Sequence, residues 1–150
     1  MPNRRLDLDR FMPYRLSVLT NRVSSAIARH YSERFNLSIP EWRIIAVLGQ
    51  NPGLSARQVA ERTAMDKVQV SRAVASLLAA RRITKEAHAS DGRIAHLSLS
   101  AKGRTIYEEI VPLALGLEQR FLSVLTKQEQ QVLDQLLSKL SATSPGLGED

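Results

Sequence analysis

Three helix-start signals follow one another closely between Ser38 and Gln69, and they constrain the fold more than anything else in the chain. Ser38 with Glu41, Ser55 with Gln58 and Asp66 with Gln69 each set a capping oxygen three residues ahead of a side chain able to reach back to it. Pro40 falls in a first turn, where a missing backbone donor costs little, and Asn51-Pro52-Gly53 is a stop. These signals predict a helix from about Ile39 to Gln50, a short one from Ser55 to near Thr63, and a third within Asp66 to Arg82. In the last, Val70, Val74, Leu77 and Leu78 recur at helical spacing and make one apolar stripe. Lys67, Gln69, Ser71, Arg72 and Ser76 fall mostly away from that stripe. Arg81 and Arg82 close the stretch at the negative end of the helix dipole.

Longer elements flank this centre. Residues 1–9 are polar and read as loosely held; from Arg10 to about Phe35, Leu16, Leu19, Val23, Ile27 and Tyr31 space an amphipathic helix with Pro13 near its start. Ile83 to His88 and Ile94 to Leu99 are extended segments joined across Ala89 to Arg93, whose Asp91-Gly92 pair is a turn signal. Leu97 and Leu99 alternate with His96 and Ser98, giving one buried and one wet face. Ser100 caps a fifth helix carrying Ile106, Ile110, Leu113, Leu117, Phe121 and Val124, with a bend expected at Pro112. Thr126 with Glu129 caps a sixth, bearing Val132, Leu133, Leu136, Leu137 and Leu140. The fold class is therefore mainly α with a small β-hairpin wing (α+β). Helix, turn, polar helix and basic hairpin make a winged helix-turn-helix, the arrangement that such folds present to DNA. The first and the last two helices bring more apolar residues than a small lobe encloses, so a helical dimerisation lobe shared by two copies is expected; a monomer folding these helices back on itself is the alternative.

Charge points the same way. The net charge is +6. Between Ser55 and Arg104 lie ten basic and four acidic residues, so that stretch carries the whole excess and the remainder is neutral. A neutral body with a basic middle suits a polyanion met by one part of the molecule; a solvated basic surface is the bland alternative. Cysteine is absent, which excludes disulfides, thiolate metal sites and thiol switches. No apolar run approaches a membrane span and MPNRRLDLDR lacks the apolar core of a secretion signal, so the cytoplasm is the expected compartment. His30, His88 and His96 lack the spacing of a metal cluster, and no Gly-rich phosphate loop or paired nucleophile occurs. Neither an enzyme nor a cofactor is expected.

The residues then match a family. Asp91-Gly92-Arg93-Ile94-Ala95-His96-Leu97-Ser98-Leu99-Ser100 resembles the hairpin pattern D-x-R-x-x-x-L-x-L-T of the MarR (multiple antibiotic resistance regulator) family, departing only at Ser100. Leu54-Ser55-Ala56-Arg57-Gln58-Val59-Ala60 and Val70-Ser71-Arg72 resemble that family's third helix and recognition helix, and the likeness runs from about Phe11 to Leu140. Pro13 to Leu19 with Leu37 to Arg43 resembles a branch some of whose members respond to hydroxycinnamic acids or their coenzyme A thioesters. The resemblance implies a homodimer that binds a pseudo-palindromic operator and represses until a small ligand loosens it.

Residue roles follow as expectations. Gln69 can pair with adenine and Arg72 with guanine in the major groove; a phosphate contact or an internal ion pair is the alternative for Arg72. Lys67, Ser71 and Ser76 suit phosphate or sugar, Arg57 suits the backbone at a helix start, and Arg93 suits the minor groove. Asp91 fixes the turn or orients Arg93. Tyr14, Arg22, His30 and Trp42 are the candidates for an aromatic carboxylate or aryl-CoA thioester, against simple core roles for Tyr14 and Trp42 and an ordinary helix histidine at His30. The expected regions are 10–35 plus 101–142 for dimerisation, 36–100 for DNA binding and 143–150 as a flexible tail. The rival readings are a winged-helix protein-interaction or architectural module, or an activator.

Overall fold

A computed structural model describes residues 5–87 and 94–145. A 3-10 turn (Leu8–Arg10) precedes α1 (Met12–Phe35), α2 (Ile39–Gln50), α3 (Ala56–Thr63) and α4 (Lys67–Ala79). Strands β1 (Ile83–Ala87) and β2 (Ala95–Leu99), α5 (Ala101–Leu122) and α6 (Lys127–Thr143) follow. The mainly helical class with a small hairpin therefore holds. Ser38, Ser55 and Thr126 close reciprocal capping boxes with Glu41, Gln58 and Glu129, each worth about 0.5–2 kcal/mol to its helix. Ser100 begins α5: its hydroxyl accepts from the Gly103 amide at 3.0 Å.

By contacts the chain divides at Val111–Pro112 into two units. In the first, the buried cluster joins Tyr31 and Leu37 to Ile44, Ile45 and Leu48 of α2, Val59 of α3, Val70 and Leu77 of α4, Leu97 of β2, and Ile106 and Ile110. In the second, no described residue is buried. Phe121, Val124, Val132, Leu136, Leu137 and Leu140 are all exposed there, as are Phe11, Met12, Leu16 and Leu19 around the start of α1 in the first unit.

Four expectations change. The leading segment is not loose throughout: the Asp7 carboxylate accepts from the Asp9 amide and caps the 3-10 turn, and α1 begins at Met12 instead of Arg10. The fourth helix ends at Ala79, three residues before Arg82, because Arg81 takes a left-handed φ of 58°. Arg81 and Arg82 thus do not extend the helix as dipole-facing charges; the Arg82 Nη2 turns inward and donates to the Phe35 carbonyl. α5, which keeps Pro112 inside it as expected, stops at Leu122, before Val124. The hairpin's alternation is muted: Leu97 alone is fully buried, and Leu99 is half-buried like His96 and Ser98.

β1 and β2 pair antiparallel in the register Ile83 with Leu99, Lys85 with Leu97 and Ala87 with Ala95. A third backbone partner joins them, absent from the sequence reading. Leu97 N donates to the Leu54 carbonyl at 2.8 Å and Gly53 N to the Leu97 carbonyl at 2.9 Å. Gly53 holds a φ of 84°, which suits glycine. The wing is thereby laced to the segment that leads into α3.

Candidate nucleic-acid interface

The turn between α3 and α4 is short because each of its residues is committed. Ala64 ends α3 in a left-handed conformation, Met65 is buried beneath the corner, and the Asp66 carboxylate accepts from the Gln69 amide at 2.8 Å. Asp66 caps α4 through the Gln69 backbone amide alone, unlike the three reciprocal boxes, and the Gln69 side chain is exposed.

α4 buries Val70, Ala73 and Leu77 on one side. Lys67, Gln69, Ser71, Arg72 and Ser76 are all exposed, and Lys67–Ala79 contains no acidic residue. Lys67 and Arg72 have no carboxylate within ion-pair distance among the described residues, which removes the internal-pair alternative for Arg72 among them. Ser76 is engaged: its hydroxyl donates to Glu41 Oε2 at 3.2 Å. Arg57 is exposed at the start of α3 and pairs with Glu61 at 3.3 Å, an i,i+4 contact open to water and weak for that reason. Arg93, with Asp91 and Gly92, lies outside the described residues.

Sequence reasoning took Arg72 from the middle of the outward face and passed over its neighbours there. At 100° per residue, the side opposite Val70, Ala73 and Leu77 is centred on Val68, Arg72, Ala75 and Ala79. All four are exposed. Gln69 with Ser76 and Lys67 with Ser71 flank that centre. The available signal was an apolar residue off the stripe: Val68 sits two positions before Val70.

The far end of α4 is bound to α5. Ser100 Oγ donates to the Arg81 carbonyl at 2.7 Å, Ser100 N to the Arg82 carbonyl at 3.1 Å, and Lys102 Nζ to the Ala80 carbonyl at 3.3 Å. The four ligand candidates are not gathered in one place. Tyr14 and Arg22 line an open groove of about 410 Å³ along α1 with Asp9, Met12, Arg15 and Leu19. Trp42 is half-buried against Tyr31, ring centroids 4.7 Å apart at 39°. His30 is exposed on α1 and does not line the groove. Among the described residues no helix is long and apolar enough to cross a membrane, and no cluster of three or more His, Asp or Glu could hold a metal.

A helix-turn-helix whose second helix offers an acid-free polar face, followed by a laced hairpin, defines a winged-helix regulator. The MarR family model matches residues 35–94. The transcriptional regulator BilQ of Clostridium symbiosum is 32% identical over 99 residues, covering 66% of this chain and 69% of that one. The transcriptional repressor Rv2887 of Mycobacterium tuberculosis is 26% identical over 133 residues, 88% of this chain and 92% of that one. The solved MarR/EmrR family regulator from Acinetobacter sp. ADP1 superposes with a TM-score of 0.86 at 27% identity, over 94% of this chain and 99% of that one. The chain belongs to the MarR family of transcription regulators, and these relatives are regulators, not enzymes.

Proposed function

We propose that two copies of this chain bind a pseudo-palindromic operator and repress transcription until a small aromatic acid or its CoA thioester releases them. The observation that carries this reading is the outward face of α4, where Lys67, Gln69, Ser71, Arg72 and Ser76 are exposed along a helix free of carboxylates. Entering the major groove, Gln69 and Arg72 would face base edges, while Lys67, Ser71 and Arg57 would neutralise or bond phosphates. Ser76 would have to leave Glu41 to do so. Arg93 is assigned to the adjacent minor groove. Residues 36–100 form the DNA-binding region in this reading, and 10–35 with 101–142 the dimerisation region. The exposed Phe11, Met12, Leu16 and Leu19 of the first unit, and Phe121, Leu136 and Leu140 of the second, support it, since exposed apolar side chains favour association. Dimerisation must set the two α4 helices about 34–36 Å apart to meet successive grooves.

The effector class rests on Tyr14 and Arg22 sharing one groove, an aromatic surface beside a cation, and on the likeness to the hydroxycinnamate-responsive branch. His30 and Trp42, the other two candidates, do not line that groove, so Tyr14 and Arg22 alone support the assignment. Fluorescence anisotropy on DNA from upstream of the chain's own gene, against scrambled duplex at moderate salt, tests the operator reading. Selective binding is expected, and equal affinity for both duplexes overturns it. Adding hydroxycinnamic acids and then their thioesters should release the DNA. If neither does so up to millimolar concentration, the effector class falls while operator binding stands.

A further inference from the structure

Val68, the second residue of α4, is 58% exposed. From Asn36 to Ala87, a stretch described without interruption, it is the one large apolar side chain left in open solvent; every other Val, Leu, Ile, Met and Trp there is buried or half-buried. It faces directly away from the core stripe and stands one turn before Arg72 on the same line, with Ala75 and Ala79 further along. A β-branched residue at an exposed helical position loses χ1 freedom and gains no packing in the isolated chain. Residues that break a local rule without local compensation mark functional positions. The surrounding charge also selects the occupant: Lys67 and Arg72 flank Val68, and no carboxylate lies within the helix.

Among the four bases, only thymine presents an apolar group, its 5-methyl, to the major groove. We propose that Val68 is a specificity-determining residue that packs against a thymine 5-methyl in each half-site, within the register that Arg72 sets one turn on. Ala75 and Ala79 carry no bulk to hold the helix away from the base edges. This inference rests on α4 lying in the major groove, and the test separates the two.

A random duplex pool selected with the full-length chain yields the preferred operator. Each thymine is then replaced by deoxyuridine, which lacks only that methyl, and affinity is read by anisotropy. Replacement of that thymine in one half-site is expected to weaken binding about fourfold, and about fifteenfold when both half-sites are changed. In Val68→Ala, checked for an unchanged thermal midpoint, the ratio between thymine and uracil operators should fall close to one. A wild-type chain that selects an operator yet binds its uracil version equally well overturns the inference alone. So does a Val68→Ala variant that keeps the full penalty. A pool that yields no preferred sequence overturns the operator reading and the inference together.

Discussion

The Ser76 hydroxyl on α4 donates to the Glu41 carboxylate on α2 at 3.2 Å, while the other Glu41 oxygen accepts from the Ser38 amide at 3.2 Å. One carboxylate therefore caps α2 and braces the proposed reading helix. Ser76→Ala should change operator affinity less than about twofold, since its hydroxyl is already occupied. Glu41→Ala should cost about 1–2 kcal/mol of stability through the lost cap and brace, read by chemical denaturation. A Ser76→Ala loss as large as that of Lys67→Ala would make Ser76 a DNA contact.

Lys67, Arg72 and Arg93 should separate by the kind of loss they cause. Lys67→Ala should weaken all duplexes alike and shallow the slope of log affinity against log salt by about one. Arg72→Ala should cost about 1–3 kcal/mol and relax preference at one base pair, and Arg93→Ala about as much through the minor groove. An Arg93→Ala affinity unchanged from wild type would remove the wing from the interface.

Gly103 is required by proximity. A Cβ there would lie 1.9 Å from the Arg82 carbonyl oxygen, a backbone atom that cannot swing aside. Gly103→Ala should destabilise by about 1–3 kcal/mol and loosen the join between α4 and α5. A wild-type melting temperature in that variant would contradict the close approach.

Tyr31 sets the alkaline limit. The residue is 1% exposed, its hydroxyl has no hydrogen-bond partner among the described residues, and burial pushes its pKa from 10.0 up to about 12. The unfolded chain ionises first, so stability is fully present below pH 10 and is lost as pH rises through about 12. Tyr31→Phe should keep or raise stability at neutral pH, because an unpaired buried hydroxyl is removed. It should also flatten that alkaline decline. A marked loss at pH 7 would reveal a partner for the hydroxyl.

The uncovered apolar face of α6 predicts an obligate association. Leu136→Glu with Leu140→Glu should shift the chain toward monomer by light scattering and abolish tight operator binding together. A wild-type chain that remains monomeric at micromolar concentration would remove the dimer from the account.

Elements governed by neighbours in sequence were legible, and those governed by distant partners were not. Ser38, Ser55 and Thr126 start their helices where the pattern places them because each cap is closed by a residue three positions on. The end of α4 was misplaced because Arg81 and Arg82 are held by Ser100 and Phe35, far away along the chain. The Leu54–Leu97 bridge is hidden for the same reason. Within the candidate interface, polarity pointed to Lys67, Gln69 and Arg72, and the same criterion concealed Val68. At Ser76 composition showed a free hydroxyl where the fold supplies Glu41.

That bridge gives the strand β2 little liberty of its own. Because Leu97 shares hydrogen bonds with the residues that feed α3, β2 cannot swing toward or away from α4 without breaking them. Each half of an operator would then meet a rigid stencil, its inner distances set at folding. Natural variation among target sequences would have to be absorbed in the gap between the two halves.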